Sequence, residues 1–209
     1  MESASPDLRR AAGERTRMRL MHAALDLLAE RGEEGVTLRD LTDAAGANVA
    51  AVSYHFGSLQ ALLDEAIEAA LERYLDTQQE AVSELGPEAT LEEVAAAFAR
   101  PMVSALTKGG RDRAAMRIVA RAAIDPPKGW DRFDARFDQI RADVVRVMKA
   151  RLSGVKTREL IFRIRCAAGM LNWLAVAPVG AELSDMSEKQ AERLLVPIVA
   201  GAFRGTSSD

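Results

Sequence analysis

Two short helical segments around a glycine turn constrain the fold of this 209-residue chain more than any other feature. They lie in the stretch VTLRDLTDAAGANVAAVSYHFGSLQALL, which begins at Val36. Thr37 is placed to cap the first helix and Asn48 to cap the second, since both side chains can accept a bond from a free helical N–H. Gly46 supplies the left-handed residue with which a helix ends. The pattern predicts a helix-turn-helix, whose second helix fits a DNA major groove.

The second of these helices has the side chains that such a role requires. Ala50, Ala51 and Ser53 are small, so they let the helix backbone approach the edges of the bases closely. Tyr54 and His55 follow and can hydrogen-bond phosphates at the edge of the groove. An alanine-rich helical bundle with no DNA role would show similar residues, so the segment alone leaves both interpretations open.

The same segment resembles the DNA-binding domain of the TetR family of one-component transcriptional regulators. The matching positions run from Arg17 to Leu63, about a quarter of the chain, and include ALDLLAERG from Ala24, AAG at residues 44–46 and YHFGS from Tyr54. The resemblance implies a dimeric, all-helical, ligand-responsive repressor, and it implies a phosphate contact for the basic residue at position 17. The DNA-contacting residues are expected to be Arg17, Thr37, Arg39, Asn48, Val49, Ala50, Ala51, Ser53, Tyr54 and His55.

The chain departs from the family pattern at two positions. Leu59 stands where a phosphate-binding lysine is usual, and Ser53 stands where a tyrosine is common. The loss of the lysine predicts weaker DNA binding, with a salt dependence that is flatter by about one counterion per half-site. The overall charge of −3 likewise argues against a binder that depends on electrostatics alone.

Composition favours an all-α fold without a membrane span. Hydrophobic residues make up 48% of the chain but aromatic residues only 5%, and alanine and leucine dominate. No apolar run is long enough to cross a bilayer, and the N-terminus lacks the apolar core of a secretory signal. The single cysteine, Cys166, excludes an internal disulfide. We therefore expect a cytoplasmic protein, and we expect no cofactor, no metal site and no enzymatic activity, because no catalytic or metal-binding spacing is present.

Helical periodicity predicts about nine helices in two domains. The N-terminal arm and helix-turn-helix domain is predicted over residues 1–60, and a ligand-binding and dimerisation domain over 61–209. Residues 1 to about 11 are predicted to be disordered because they are polar and aperiodic. The helices are predicted at 12–31, 38–45, 49–56, 58–84, 91–107, 111–123, 130–152, 158–176 and 188–203.

The last two helices are predicted to form a homodimer interface. Each has apolar residues at a spacing of three and four, and such helices can pair with their own copies around a twofold axis. The alternative is that these faces belong to the core of one subunit. The predicted interface residues are Leu160, Ile164, Ala168, Leu171, Leu194, Leu195, Ile198 and Ala202.

A ligand-responsive regulator also needs a cavity in the second domain. Methionine and aromatic side chains adapt to irregular apolar ligands, and an arginine pair such as Arg117 and Arg121 could bind a carboxylate or phosphate. Core packing or a solvated arginine face would explain the same residues. The predicted lining is Phe98, Met102, Met116, Arg117, Arg121, Trp130, Phe133, Phe137, Met170 and Trp173.

These observations together predict a repressor that a small, largely apolar ligand releases from a palindromic double-stranded DNA operator. Two alternatives remain at this point. One is a helical ligand-binding protein without specific DNA binding, and the other is a small all-α enzyme acting in the C-terminal cavity.

Overall fold

The computed structural model describes residues 6–127, 129–177 and 185–205. Within these ranges the regular structure is helical, so the prediction of an all-α fold with about nine helices is confirmed. The α-helices of the described residues are α1 Pro6–Arg31, α2 Leu38–Ala45, α3 Val49–Phe56, α4 Leu59–Ser83, α5 Leu91–Lys108, α6 Gly110–Ile124, α7 Asp134–Arg151, α8 Thr157–Val176 and α9 Glu188–Arg204. Short 3₁₀ helices lie at Glu33–Gly35 and Trp130–Phe133.

The chain forms two compact units, Met1–Ala70 and Leu71–Asp209. The division falls inside α4, the helix in which the sequence places its domain boundary, but ten residues later than residue 60. The helix therefore contributes its first half to unit 1 and its second half to unit 2. None of the described helices is long and apolar enough to cross a membrane.

Unit 1 packs α1, α2, α3 and the start of α4 around a small aliphatic core. Leu20, Leu41 and Leu62 come from three different helices, and each side chain is fully buried. Val52 of α3 is also buried, and it fixes which side of α3 faces the core. A short helix held by one inward apolar row leaves its opposite side free for solvent or a partner.

Unit 2 is built mainly on the packing of α5 against α9, the most extensive helix contact in the described residues. Phe203 of α9 is completely buried and meets Phe98 of α5 edge to face, with ring centroids 5.5 Å apart. Arg163 of α8 donates a hydrogen bond to the carbonyl of Phe203 at 3.0 Å, which ties α8 to the same pair. Arg136 of α7 is ion-paired with Glu72 of α4.

Two local predictions are wrong. Residues 6–11 are the first turns of α1 and not a disordered arm, while residues 1–5 lie outside the described part of the chain. Pro6 stands at the first helical position, where its missing N–H has no cost, and Asp7 places a negative charge in the first turn. Residues Trp130–Phe133 form a 3₁₀ helix, so α7 begins only at Asp134.

Candidate nucleic-acid interface and ligand pocket

The start of α2 is fixed by a reciprocal pair of hydrogen bonds. Thr37 Oγ1 accepts a bond from the Asp40 N–H at 3.2 Å, and Asp40 Oδ2 accepts one from the Thr37 N–H at 3.3 Å. The Thr37 hydroxyl, which also donates to the Asp40 carboxylate, lowers the pKa of Asp40, and the nearby Arg31 guanidinium lowers it further. The predicted capping box is therefore present, and it uses the Thr37 side chain for structure.

The turn between α2 and α3 depends on a single left-handed residue. Gly46 has φ 56° and ψ 44°, the backbone region that a side chain disfavours. The next amide, that of Ala47, donates to the carbonyl of Thr42 at 3.0 Å and closes the end of α2. Asn48 then caps α3 by accepting a bond at Oδ1 from the Ala51 N–H at 2.9 Å. These contacts fix the direction in which α3 leaves the turn.

The outer face of α3 is open to solvent. Val49, Ala50, Ser53 and Tyr54 are exposed, and 83% of the Tyr54 surface is accessible. The Tyr54 ring meets His55 edge to face, with centroids 4.9 Å apart, so the two aromatic side chains lie together at the end of the helix. A solvent-facing helix with small side chains and an aromatic pair at one end has the shape that fits a DNA major groove.

Two arginines of unit 1 occupy different environments. Arg17 of α1 is ion-paired with Glu65 of α4, and its guanidinium carbon lies 4.9 Å from the centroid of the Phe56 ring. Arg39 of α2 is almost fully exposed, and its Nε lies 3.8 Å from Asp43. Arg39 can therefore reach a phosphate at little cost, whereas Arg17 must first leave a carboxylate partner.

A pocket of about 200 Å³ lies among α5, α6 and α8 of unit 2. Its lining is apolar except for two arginines. The lining residues are Met102, Ala105, Leu106, Arg113, Met116, Arg117 and, at the C-terminal end of α8, residues 174–177. The Nε atoms of Arg113 and Arg117 are buried and have no hydrogen-bond partner among the described residues. Arg113 Nη2 donates to the Leu106 carbonyl at 3.1 Å. The pocket thus combines apolar walls with arginine donors that this part of the chain satisfies only in part.

The outer faces of α8 and α9 expose large apolar side chains. Phe162 and Trp173 of α8 are 66% and 59% exposed, and Leu194 and Ile198 of α9 are 47% and 52% exposed. Leu194 and Ile198 lie one helical turn apart, so they form a continuous ridge. A ridge of large apolar side chains is unusual on a surface that faces only water.

Both units match models of known protein families. Residues 20–66 match the model of bacterial regulatory proteins of the tetR family. Residues 96–201, about half of the chain, match the model of the tetracyclin repressor-like C-terminal domain. The chain belongs to the TetR family. The resemblance that the sequence shows in its first 63 residues is thereby confirmed, and it extends to the second unit.

Individual members of the TetR family share limited sequence identity with this chain. The chain is 38% identical over 77 residues to the HTH-type transcriptional repressor KstR2 of Rhodococcus jostii (strain RHA1), and the match covers 36% of this chain and 38% of that protein. A TetR-like transcriptional regulator from Rhodococcus sp. RHA1 has a TM-score of 0.68 at 15% identity, covering 91% of this chain and 97% of its own. AibR, solved with isovaleryl coenzyme A and operator DNA, has a TM-score of 0.62 at 17% identity, covering 88% and 97%. These two solved structures show a shared TetR fold.

The structure brings together only part of the predicted ligand site. Met102, Met116 and Arg117 line the pocket. Phe98 packs on Phe203 instead, and Trp173 is exposed on the outer face of α8. The remaining predicted lining residues are not among the described residues that line this pocket, and these are Arg121, Trp130, Phe133, Phe137 and Met170.

Three of those aromatic residues form a cluster of their own. The Trp130 ring stacks on Phe137 with centroids 5.3 Å apart, and it meets Phe133 edge to face at 6.4 Å. Tyr74 of α4 also approaches Phe137, with ring centroids 6.2 Å apart. This cluster joins α4, the 3₁₀ helix and α7, which explains the aromatic residues by packing within unit 2.

The structure divides the predicted dimer interface into buried and exposed residues. Leu160, Ile164 and Leu171 of α8 and Leu195 of α9 are buried inside the subunit. These four side chains pack in the subunit core and offer little surface to a second copy. Leu194 and Ile198 are exposed as an interface requires, while Ala168 and Ala202 are half-buried.

Sequence reasoning missed Arg113 as a pocket residue. Arg113 lies four residues before Arg117, and Arg121 lies four residues after Arg117. Helical spacing therefore places all three arginines on the same side of α6. The contact of Arg113 with the carbonyl of Leu106 shows that the α5 side of α6 lines the pocket. Only the packing of α5 and α8 on α6 decides that Arg113, and not Arg121, lines this pocket, and that packing has no local signal in the sequence.

Proposed function

We propose that this protein is a transcriptional repressor that binds a palindromic operator as a homodimer and leaves it when a small, largely apolar ligand binds unit 2. The observation that carries the proposal is the capped α2–turn–α3 unit, which holds an exposed face of small side chains on α3. Membership of the TetR family supports the same role. A protein of this kind acts on DNA, so we place it in the cytoplasm.

Two relatives support the two halves of the proposal. KstR2 of Rhodococcus jostii is named a transcriptional repressor, and its match to this chain is local. AibR was solved with operator DNA and with isovaleryl coenzyme A, so that protein holds both kinds of ligand. We infer that this chain likewise binds DNA through residues 1–60, and a small molecule and its own copy through residues 61–209.

Each exposed residue of α3 has a role in this proposal. Val49, Ala50 and Ser53 face the base edges, where small side chains permit close approach. Tyr54 and His55 bond phosphates at the edge of the groove, and Arg39 reaches a neighbouring phosphate from α2. Thr37 caps α2, and Asn48 caps α3 by accepting a bond from the Ala51 N–H. These three residues contribute by holding α3 at the angle at which it enters the groove. Arg17 reaches DNA only by exchanging Glu65 for a phosphate.

Ligand control requires that the ligand distinguishes two arrangements of the dimer. In the DNA-bound arrangement the two copies of α3 meet successive major grooves, about 34–36 Å apart. A ligand releases the operator only to the extent that it binds the free arrangement more tightly than the DNA-bound one. Equal affinity for both forms would contradict ligand control while leaving DNA binding intact.

We expect Tyr54→Ala to weaken operator binding about 100- to 200-fold. A hydrogen bond to a charged phosphate contributes roughly 1.5 kcal/mol, and a symmetric dimer loses it twice. The measurement is binding of the purified protein to the DNA that flanks its own gene, at about 150 mM salt, the physiological ionic strength. A scrambled duplex of the same composition measures the sequence-independent part of the affinity.

Tyr54→Phe is the matched control, because it removes the hydroxyl and retains the ring. A loss shared by both variants assigns the effect to the phosphate bond, and a loss confined to alanine assigns it to the ring. Tyr54 is so exposed that neither change affects the fold. If the wild-type protein binds both duplexes equally, and selection from random DNA also yields no preferred sequence, the repressor proposal is wrong.

Leu59→Lys should restore a phosphate contact at the start of α4. Leu59 is the first residue of that helix and follows Ser58, whose Oγ accepts a bond from the Ala61 N–H at 3.1 Å. One added phosphate contact per subunit steepens the plot of log affinity against log salt concentration by about 0.9, or about 1.8 for the dimer. The slope is measured between about 50 and 200 mM salt, a range over which phosphate contacts dominate the change in affinity.

Ile124→Lys adds the same charge at an exposed position of unit 2 and serves as the control. We expect it to change the slope much less, since only cations that touch phosphates release counterions. Equal slopes for the two lysine variants would show that position 59 does not face DNA.

A further inference from the structure

Arg113 and Arg117 place two cationic groups in an otherwise apolar pocket. They lie one turn apart on α6, and the other lining residues are alanine, leucine, methionine and valine. Among the described residues, both Nε atoms are buried without a hydrogen-bond partner. No carboxylate of these residues pairs with either guanidinium, and Asp112, beside Arg113 in the sequence, is paired with Arg73 at 2.5 Å. The described part of the chain therefore leaves the positive charge of the pocket uncompensated.

Such an arrangement is costly unless something completes it. A buried donor without an acceptor loses its bonds to water and gains nothing in return. Guanidinium groups bind carboxylates and phosphates through parallel N–H···O bonds, which are stronger than bonds between neutral groups. Apolar walls beside these donors fit a ligand with two ends, one anionic and one hydrocarbon.

We propose that this pocket binds an aliphatic chain with an anionic head group, the head against Arg113 and Arg117 and the chain against Met102, Leu106, Met116 and Leu174. The assignment rests on the proposed ligand-controlled function, and it specifies the small, largely apolar ligand of that proposal as a hydrocarbon chain with one anionic end. Free fatty acids and alkyl phosphate monoesters share this chemistry. In the first the anion is the carboxylate, and in the second it is the phosphate group.

The volume of the pocket limits the length of the chain. About 200 Å³ is below the roughly 300–1,000 Å³ of pockets that enclose drug-sized ligands. It equals the volume of about seven water molecules at ~30 Å³ each, which corresponds to a chain of about six to eight carbon atoms. Met102 and Met116 on facing helices can adjust to one more or one fewer methylene, because their side chains are unbranched.

Calorimetric titration of the full-length protein, without DNA, tests the assignment with three probes. Hexanoate has the chain and the carboxylate, 1-hexanol has the chain alone, and hexyl phosphate has the chain and a phosphate. We expect at least one anionic probe to bind about 10- to 100-fold more tightly than 1-hexanol, the gain from charge-assisted hydrogen bonds. Equal affinities for all three probes would overturn the proposal.

Arg117→Gln and Arg113→Gln locate the anion. Glutamine retains a donor and much of the apolar stem but removes the charge, so each variant should lose most of the preference for the anionic probe and bind 1-hexanol unchanged. If only the hexanoate affinity falls, the head group is a carboxylate, and if only the hexyl phosphate affinity falls, it is a phosphate. If the preference survives in both variants, the anion lies elsewhere and the assignment is wrong.

Arg146→Gln is the matched control for charge. Arg146 lies on α7, outside the lining of the pocket, and pairs with Asp143 at 3.6 Å. Circular dichroism of every variant shows whether the helices remain. Because the titration contains no DNA, failure of operator binding leaves its result intact. A probe that binds but does not release the operator separates the ligand assignment from the proposed regulation.

Discussion

Phe203→Ala should destabilise unit 2 by about 3–5 kcal/mol, the range measured when a buried phenylalanine is truncated. The ring is completely buried between α9 and α5, and it contacts Phe98 edge to face. Removing it leaves a cavity at the most extensive helix contact of the described chain. Both tryptophans of the sequence, Trp130 and Trp173, lie in unit 2, so their fluorescence during denaturation reports the stability of this unit.

Tyr54→Ala is the control for this experiment, since it also truncates an aromatic side chain, but one that is exposed and lies in unit 1. We expect its free energy of unfolding to change by no more than the ~0.5 kcal/mol typical of surface substitutions. Protein concentration must be equal for all samples, because association of subunits adds to the apparent stability. If Phe203→Ala leaves the denaturation midpoint of unit 2 unchanged, the contact of α5 with α9 does not hold this unit together.

The parts of this fold that local chemistry determines were predictable from the sequence. Thr37 and Asn48 cap α2 and α3 as predicted, because a cap needs only its own side chain and an amide three residues later. The left-handed Gly46 follows from the same kind of local rule. These short-range contacts determine where α2 and α3 lie in the chain, and with them the candidate DNA-binding surface.

The orientation of α8 could not be predicted in the same way. The helix has apolar residues on two sides, and periodicity does not distinguish the side that meets its own subunit from the side that meets another. The structure buries Leu160, Ile164 and Leu171 and exposes Phe162 and Trp173. Since the choice depends on α6, α7 and α9 packing against α8, it is a tertiary property.

The ligand pocket shows the same limit. Aromatic and methionine residues were the predicted lining, but the aromatic residues Trp130, Phe133 and Phe137 pack on one another. The pocket instead uses Met102 and Met116 with two arginines of α6. Sequence indicates that such side chains are suited to a cavity, and only the arrangement of the helices decides which of them surround one.

Ile198→Asp should separate the homodimer and, with it, abolish tight operator binding. Ile198 and Leu194 form an exposed apolar ridge on α9, and Phe162 and Trp173 expose the same kind of surface on α8. We propose that these four residues are central to the contact between two copies. An unpaired carboxylate in such an interface costs about 2–4 kcal/mol, the loss typical of a central interface residue, and a twofold dimer has it twice. The dissociation constant should therefore rise at least ~10³-fold.

Sedimentation at micromolar concentration measures this directly, with an expected mass near twice the 22.6 kDa subunit for the wild type and near one subunit for the variant. Ile124→Asp makes the same change at a more exposed isoleucine on α6 and should remain dimeric. Because each subunit has one α3, a monomer can occupy only one half-site and loses the affinity that two linked half-sites provide. A variant that stays dimeric would move the interface away from the α9 ridge, and one that is monomeric but still binds the operator tightly would show that the two half-sites do not act together.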